Sequence, residues 1–290
     1  MLQPVVLSAT ASSGLPVTYG MVGSAVLTGN VITRTGPGEI KVVAWQPGDQ
    51  TWEATDPVMQ SHTLISSEAR LISLVPSGVF MLTPFFNSGW FFYTAPAVDA
   101  SVSGISISAS SLDANATITA NGVPVPRGGF PASAPVPLQY GPNSIAVVCT
   151  AQDGITTRTY TVSITRLTEI QTWRRLHFGT PDEMGDASDF SDPDFDGLTN
   201  RVEFAFGFHP LTAGTAVLPS WTRNGTEYVI TFPQPSGVAG ISYIGEWSTT
   251  LDGPWTPLPD TGNAPQHRFA APVAGTARLF LRVRVETSAP

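Results

Sequence analysis

Twelve consecutive residues, Asp192-Pro193-Asp194-Phe195-Asp196-Gly197-Leu198-Thr199-Asn200-Arg201-Val202-Glu203, constrain the backbone of this chain more tightly than any other stretch. Side-chain oxygens fall at loop positions one, three, five, nine and twelve, with Gly197 at position six. A hard divalent cation takes six to eight oxygens at roughly 2.3–2.6 Å, and a loop with this spacing wraps the backbone around Ca²⁺ to supply them. In that geometry Asp192, Asp194 and Asp196 reach the ion from a turning backbone, and Gly197 makes the sharp turn. Leu198 offers its carbonyl, Asn200 binds directly or through a water, and Glu203 closes the sphere with both carboxylate oxygens.

The charge distribution points to the same place. Of the 22 acidic residues in 290, eight lie between Asp182 and Glu203, leaving 14 acids against 13 basic residues elsewhere. The net charge of −8 therefore belongs to one segment, as a cation site requires, whereas a charge for solubility would be spread over the surface. Lys41 is the only lysine, which excludes a basic nucleic-acid surface. Cys149 is the only cysteine, so no disulfide forms within the chain, and its apolar run Ile145-Ala146-Val147-Val148-Cys149 marks it as a small core residue. A secreted protein without disulfides fits a bacterial export route. No apolar run approaches the ~18 residues needed to span a membrane. Met1-Leu2-Gln3-Pro4 lacks the charged and apolar regions of a signal peptide and reads as a start in mid-domain, so the chain is expected to be a fragment of something longer.

On both sides of the loop the pattern is that of short strands cut by turns. Gly20, Gly23, Gly29-Asn30 and Gly36-Pro37-Gly38 separate Val17-Thr18-Tyr19, Ala25-Val26-Leu27, Val31-Ile32-Thr33 and Ile40-Lys41-Val42-Val43-Ala44. Trp45 and Trp52 are expected to pack in the core or in turns rather than to stack on a sugar, because no polar cluster accompanies them in sequence. Further on, Tyr160, Val162 and Ile164 alternate with Thr159, Thr161, Ser163 and Thr165, and Asp153-Gly154 is a hairpin-turn dipeptide. The aromatic cluster Phe85, Phe86, Trp90, Phe91, Phe92 and Tyr93 is expected mainly to pack, with an exposed binding patch as the alternative. From Thr168 the period changes to helical: Ile170, Trp173 and Leu176 form an apolar face, Thr168 is the N-cap, and Gly179 with Pro181 ends the helix. Asn200 to Phe206 reads as a second short helix stopped by Gly207. Tyr228–Phe232, Ile241–Ser248 and Ala277–Val285 are strand runs, the last with Leu279, Leu281, Val283 and Val285 inward and a largely basic outer face.

Several stretches resemble known families. Ser13-Gly14-Leu15-Pro16-Val17-Thr18-Tyr19 through Ala44-Trp45-Gln46-Pro47-Gly48-Asp49 resembles bacterial immunoglobulin-like repeats, in which a strand normally precedes the equivalent of Leu7-Ser8-Ala9-Thr10. Leu82-Thr83-Pro84-Phe85-Phe86, Tyr93-Thr94-Ala95, Ala116 to Gly122, Gly141-Pro142-Asn143-Ser144-Ile145 and Thr159 to Arg166 follow the order of the cadherin-like β-sandwich repeat of bacterial surface proteins. That resemblance implies a seven-stranded sandwich with a spacer or adhesive role. The loop lacks an incoming helix, and its apolar residue stands at position seven with Thr199 at eight, so it is less similar to paired EF-hands than to the single calcium loops of dockerin and thrombospondin type 3 repeats. A permanently filled structural site is the expectation, with a Kd on the order of 10⁻⁴–10⁻³ M. The tail resembles C-terminal β domains of secreted bacterial proteins.

The four histidines, His62, His177, His209 and His267, sit beside no catalytic pattern, and His177 reads as a cation at a helix C-terminus. The expected fold is mostly β, with tandem immunoglobulin-like and cadherin-like β-sandwiches joined by a short helical calcium-loop linker. The expected domains are 1–67 (immunoglobulin-like, clipped at its start), 68–167 (cadherin-like), 168–211 (helix plus loop) and 212–290 (C-terminal β-sandwich). The expected function is a non-enzymatic, monomeric extracellular or cell-surface fragment, possessing a Ca²⁺ site and meeting surface glycans or other surface proteins. The alternative is a carbohydrate-binding accessory region of a larger secreted hydrolase, with Trp247, Trp255 or the Trp90 cluster stacking on sugars.

Overall fold

A two-residue turn folds Ala25–Thr28 and Val31–Arg34 into an antiparallel hairpin. At Gly29-Asn30 the glycine takes φ +62°, which lets Thr28 pair with Val31 across the turn. A computed structural model describes residues 4–78, 81–128, 132–213, 217–273 and 278–287. Met1–Gln3 and Ala277, the first residue of the last expected strand, fall outside them. The protein is mostly β, built of several small sheets, as the alternation and turn pattern predict. Two of these sheets make the first sandwich: Val5–Val6, Val31–Arg34 and Ala25–Thr28 in one, Thr18–Gly23, Gly38–Trp45 and Val58–Leu64 in the other. A short strand, Val5–Val6, thus stands directly before Leu7. Val58–Leu64 was not legible in sequence, because its residues do not alternate; it is an edge strand with six exposed residues.

Among the described residues, nine strand segments rather than seven lie between Leu71 and Arg166, since strand continuity breaks at Ser106 and short edge pieces pair separately. The main sheet has the order Val123–Val125, Thr117–Ala120, Gly141–Thr150, Thr157–Arg166, Phe92–Thr94. Its inward rows are those alternation predicts: Ile145, Val147 and Cys149 on one strand, Tyr160, Val162 and Ile164 on the next, all buried. The Tyr160 hydroxyl accepts from the Leu71 N–H at 3.1 Å and donates to the Ser88 carbonyl at 3.2 Å, so its burial leaves no polar atom stranded. Burial pushes the Cys149 thiol up to about 11, which keeps it protonated and inert. Leu82–Phe86 forms no ladder beyond the Thr83–Thr94 bridge. The aromatic cluster divides: Tyr93 is buried and donates to the carbonyl of Asn87 at 2.6 Å, while Phe85, Trp90, Phe91 and Phe92 are exposed. The expectation of packing holds for only part of it.

The chain separates into two compact units, Met1–Thr94 with Ser106–Val136 and Ile145–Val162, and Ala95–Ile105 with Pro137–Ser144 and Ser163–Pro290. In the second unit, helix α1 (Glu169–Phe178) and helix α2 (Asn200–Phe206) precede two three-stranded sheets. Their core is Ile230, Phe232, Tyr243 and Phe269, joined by Ala205 of α2. Tyr243 donates its hydroxyl to the Ala205 carbonyl, and burial raises that hydroxyl to about 12. The last strand, Phe280–Thr287, turns Val283 and Val285 toward this core. Its outer face is less basic than expected, because Arg282 and Arg284 both pair with the buried Glu246, and Arg284 also pairs with Glu286. Gly245 has no room for a side chain: an added Cβ would lie 2.5 Å from the Phe269 ring. Gly245→Ala is therefore expected to destabilise the protein by about 1–3 kcal/mol through overpacking, read as a lowered thermal midpoint in circular dichroism.

A candidate metal centre

The approach to the acidic loop is set by α1. Thr168 and Gln171 form a reciprocal capping box, with the Gln171 N–H donating to Thr168 Oγ1 at 3.4 Å and the Thr168 N–H to Gln171 Oε1 at 3.0 Å. At the other end Gly179 adopts φ +74°, the left-handed cap expected of it. Outside the helix axis, Thr172 Oγ1 accepts from the Ala100 N–H at 3.0 Å, Arg175 donates to the Ala97 carbonyl at 2.8 Å and pairs with Asp99, and Tyr140 donates to Glu169. These contacts fix the helix within the second unit.

Only part of the apolar face of α1 is covered: Ile170 and Trp173 are half-buried, with the Trp173 ring 5.7 Å from that of the buried Phe204. Leu176 is 77% exposed and Arg174 only 6%, because Arg174 is drawn inward by Asp189, itself 2% exposed. Asp189 also takes Arg201 of α2, at 2.9 and 3.1 Å from its second oxygen, so one buried carboxylate bridges two guanidinium groups. Backbone ties run alongside: the Arg201 N–H donates to the Asp189 carbonyl at 3.0 Å and the Asn200 N–H to the Ser191 carbonyl at 2.9 Å. His177 packs against Trp173 and, at 4.7 Å between ring centroids, against His209. His177 stands in the last turn of α1, where burial first and then the neighbouring His209 lower its pKa.

Asp192, Asp194 and Asp196 converge as the spacing predicts, with one carboxylate oxygen from each lying within 4.8 Å of the others. Backbone N–H groups hold them there: Asp196 N–H donates to Asp192 and Asp194 at 3.2 Å, Gly197 N–H to Asp192 at 3.0 Å, and Leu198 N–H to Asp196 at 3.0 Å. Phe195 and Gly197 take φ of +61° and +90°, the left-handed turns needed to bring alternate side chains to one centre. Glu203, on the first turn of α2, is 1% exposed. Burial first, and then the charges of Asp194, Asp196 and Asp192, push its carboxyl up to about 7. Asn200 is buried too, with its Nδ2 donating to the carbonyls of Asp186 and Ser188 at 2.7 Å each. Its amide thus leaves only Oδ1 for a ligand role.

The residues fit a hard cation by a direct test. Among the described residues, six buried side-chain polar atoms lack any hydrogen-bond partner, and four of them are Asp194 Oδ2, Asn200 Oδ1 and both oxygens of Glu203. All four are acceptors, and all belong to the ligand set the spacing predicts. Buried acceptors without donors are costly, and a shared divalent cation would satisfy them together. Arg174 and Arg201 do not neutralise the cluster, since both are engaged by Asp189. Asp189 is the functional neighbour that spacing could not reveal.

Elsewhere, the sugar-stacking alternative loses one candidate face: the Arg282 guanidinium lies over the Trp255 ring at 3.9 Å. Among the described residues no helix is long and apolar enough to cross a membrane. Residues 71–167 match the cadherin-like beta sandwich domain family, which accords with the resemblance carried by the same strands and with a structural, adhesive or spacing role for that segment. The match covers about a third of the chain and ends before α1, so the acidic loop lies outside it. No curated protein matches the chain.

Proposed function

We propose that this chain is a non-enzymatic module of an extracellular or cell-surface protein, and that its acidic loop holds one structural Ca²⁺. The ligands are the carboxylates of Asp192, Asp194, Asp196 and Glu203, the carbonyl of Leu198 and Oδ1 of Asn200. The observation that carries this reading is Glu203, buried with two unpartnered oxygens beside three aspartates. Bound calcium would lock α2 and the Asp189 bridge onto the loop, stiffening the connector that leads from α1 into the C-terminal core. The single loop resembles the dockerin and thrombospondin type 3 arrangement, whose expected Kd, on the order of 10⁻⁴–10⁻³ M, fills only where calcium is millimolar. Such an affinity would suit an extracellular structural site rather than a sensor.

The test is calorimetry with Ca²⁺, together with terbium luminescence, on the wild type and on Asp196→Ala. Saturable binding in the wild type and its loss in the variant are expected. No binding by the wild type at millimolar Ca²⁺ would overturn the assignment. A second reading, a glycan-binding accessory region of a larger secreted hydrolase, draws support from a cavity in the first sandwich.

A further inference from the structure

That cavity, of about 460 Å³, opens against the sheet face that carries Tyr19, Ala44 and Val58 in one cross-strand row and Val42 and Gln60 in the next. The volume falls within the range of small-molecule sites, about 300–1,000 Å³. Trp45 and Trp52 both line it, but they do different things. The Trp45 ring covers Gly20, where an added Cβ would come within 3.1 Å of it, so Trp45 packs as expected. Trp52 is 52% exposed and stands in a loop that Asp49 holds rigid: Asp49 Oδ1 accepts the N–H groups of Thr51 and Trp52, both at 2.8 Å.

The polar company missing from the sequence pattern is present in three dimensions. Gln46 lines the cavity and is 2% exposed. Thr55 pins its backbone in both directions, with the Gln46 N–H donating to Thr55 Oγ1 and the Thr55 N–H to the Gln46 carbonyl, each at 3.0 Å. Its side-chain Nε2 is buried with no hydrogen-bond partner, a costly arrangement unless a ligand or water accepts from it. Glu53 and Asp56 also line the cavity and are exposed, and the segment Leu7–Ser13 contributes the hydroxyl groups of Ser8, Thr10, Ser12 and Ser13.

We infer that this cavity binds a neutral sugar ring. A pyranose is the ligand class that matches all four features at once. Its apolar face stacks on the half-exposed indole of Trp52. A ring or hydroxyl oxygen accepts from Gln46 Nε2, and hydroxyl groups donate to the carboxylates of Glu53 and Asp56. The same two carboxylates repel uronic acids, sialic acids and phosphorylated sugars. The inference rests on the glycan-binding reading above and is independent of the calcium loop.

The experiment is affinity electrophoresis of the whole chain through gels containing hydroxyethylcellulose, xylan, galactomannan or laminarin, with polygalacturonate as the acidic control. Retardation by at least one neutral polysaccharide is expected. Trp52→Ala should abolish it, and Gln46→Ala should weaken it by about tenfold. Asp196→Ala should bind sugar as the wild type does, which separates this site from the calcium reading. Trp52 lies half in solvent, so its replacement tests the site even where the Gln46 variant fails to fold. No retardation by any neutral polysaccharide would overturn the inference. So would retardation unchanged by Trp52→Ala, or retardation by polygalacturonate alone.

Discussion

Asp189→Ala is expected to lower the unfolding free energy by about 3–5 kcal/mol, measured by urea denaturation, because it leaves the buried Arg174 guanidinium with only the half-exposed Glu183, 3.8 Å away. The magnitude comes from the stranded charge, not from the attraction lost. A buried ion pair contributes little net stability, but breaking one partner away leaves the desolvation cost of the other uncompensated. The contrast within this chain is Arg70 with Glu68, in contact at 2.6 Å but partly exposed to water, where removal should cost less than about 1 kcal/mol. A double replacement, Asp189→Ala with Arg174→Met, should recover much of the loss, since the more deeply buried of the two guanidinium groups is gone and Arg201 is partly exposed. A loss under about 1 kcal/mol in the single variant would show that Arg174 escapes to solvent and that Asp189 is not the clamp between α1 and α2.

The second large effect is calcium-dependent stability. At 10 mM Ca²⁺ and the Kd proposed above, binding to the folded state alone should stabilise the protein by about 1.4–2.7 kcal/mol, seen as a raised thermal midpoint. Glu203→Gln should remove most of that increment. In calcium-free buffer the same variant should be more stable than the wild type, because it deletes one buried like charge beside three aspartates. Opposite signs with and without the cation are the signature of a ligand; a residue of purely packing importance would lose stability in both conditions.

Much of this architecture could be read from local pattern. Alternation placed Tyr160, Val162 and Ile164 inward, the capping residues Thr168 and Gly179 bounded α1 at the observed positions, and the oxygen spacing brought three aspartates together. The failures share a physical cause, which is that a long-range partner decides where a polar residue goes. Periodicity counts apolar residues and so turned Leu176 inward; the actual inward residue is Arg174, held by a carboxylate fifteen positions away. Asp189 looked like one more member of an acidic run, and nothing local separates a ligand from a buried bridge. Gln46 was silent for the same reason, since its setting is made by Thr55 and by strands distant in sequence. The strand Val58–Leu64 escaped because an edge strand exposed on both faces has no alternation to display.

That edge strand has a colloidal consequence. Val58-Met59-Gln60-Ser61-His62-Thr63-Leu64 carries no lysine, proline or bulge to blunt its unpaired side, so its free N–H and C=O groups are a template for another chain. What holds copies apart is long-range repulsion from the net charge of −8. As the pH falls toward the isoelectric point of about 4.9, that repulsion vanishes while the strand's hydrogen-bonding capacity does not. Association through this edge is therefore expected to increase as the pH falls toward about 4.9, read as light scattering.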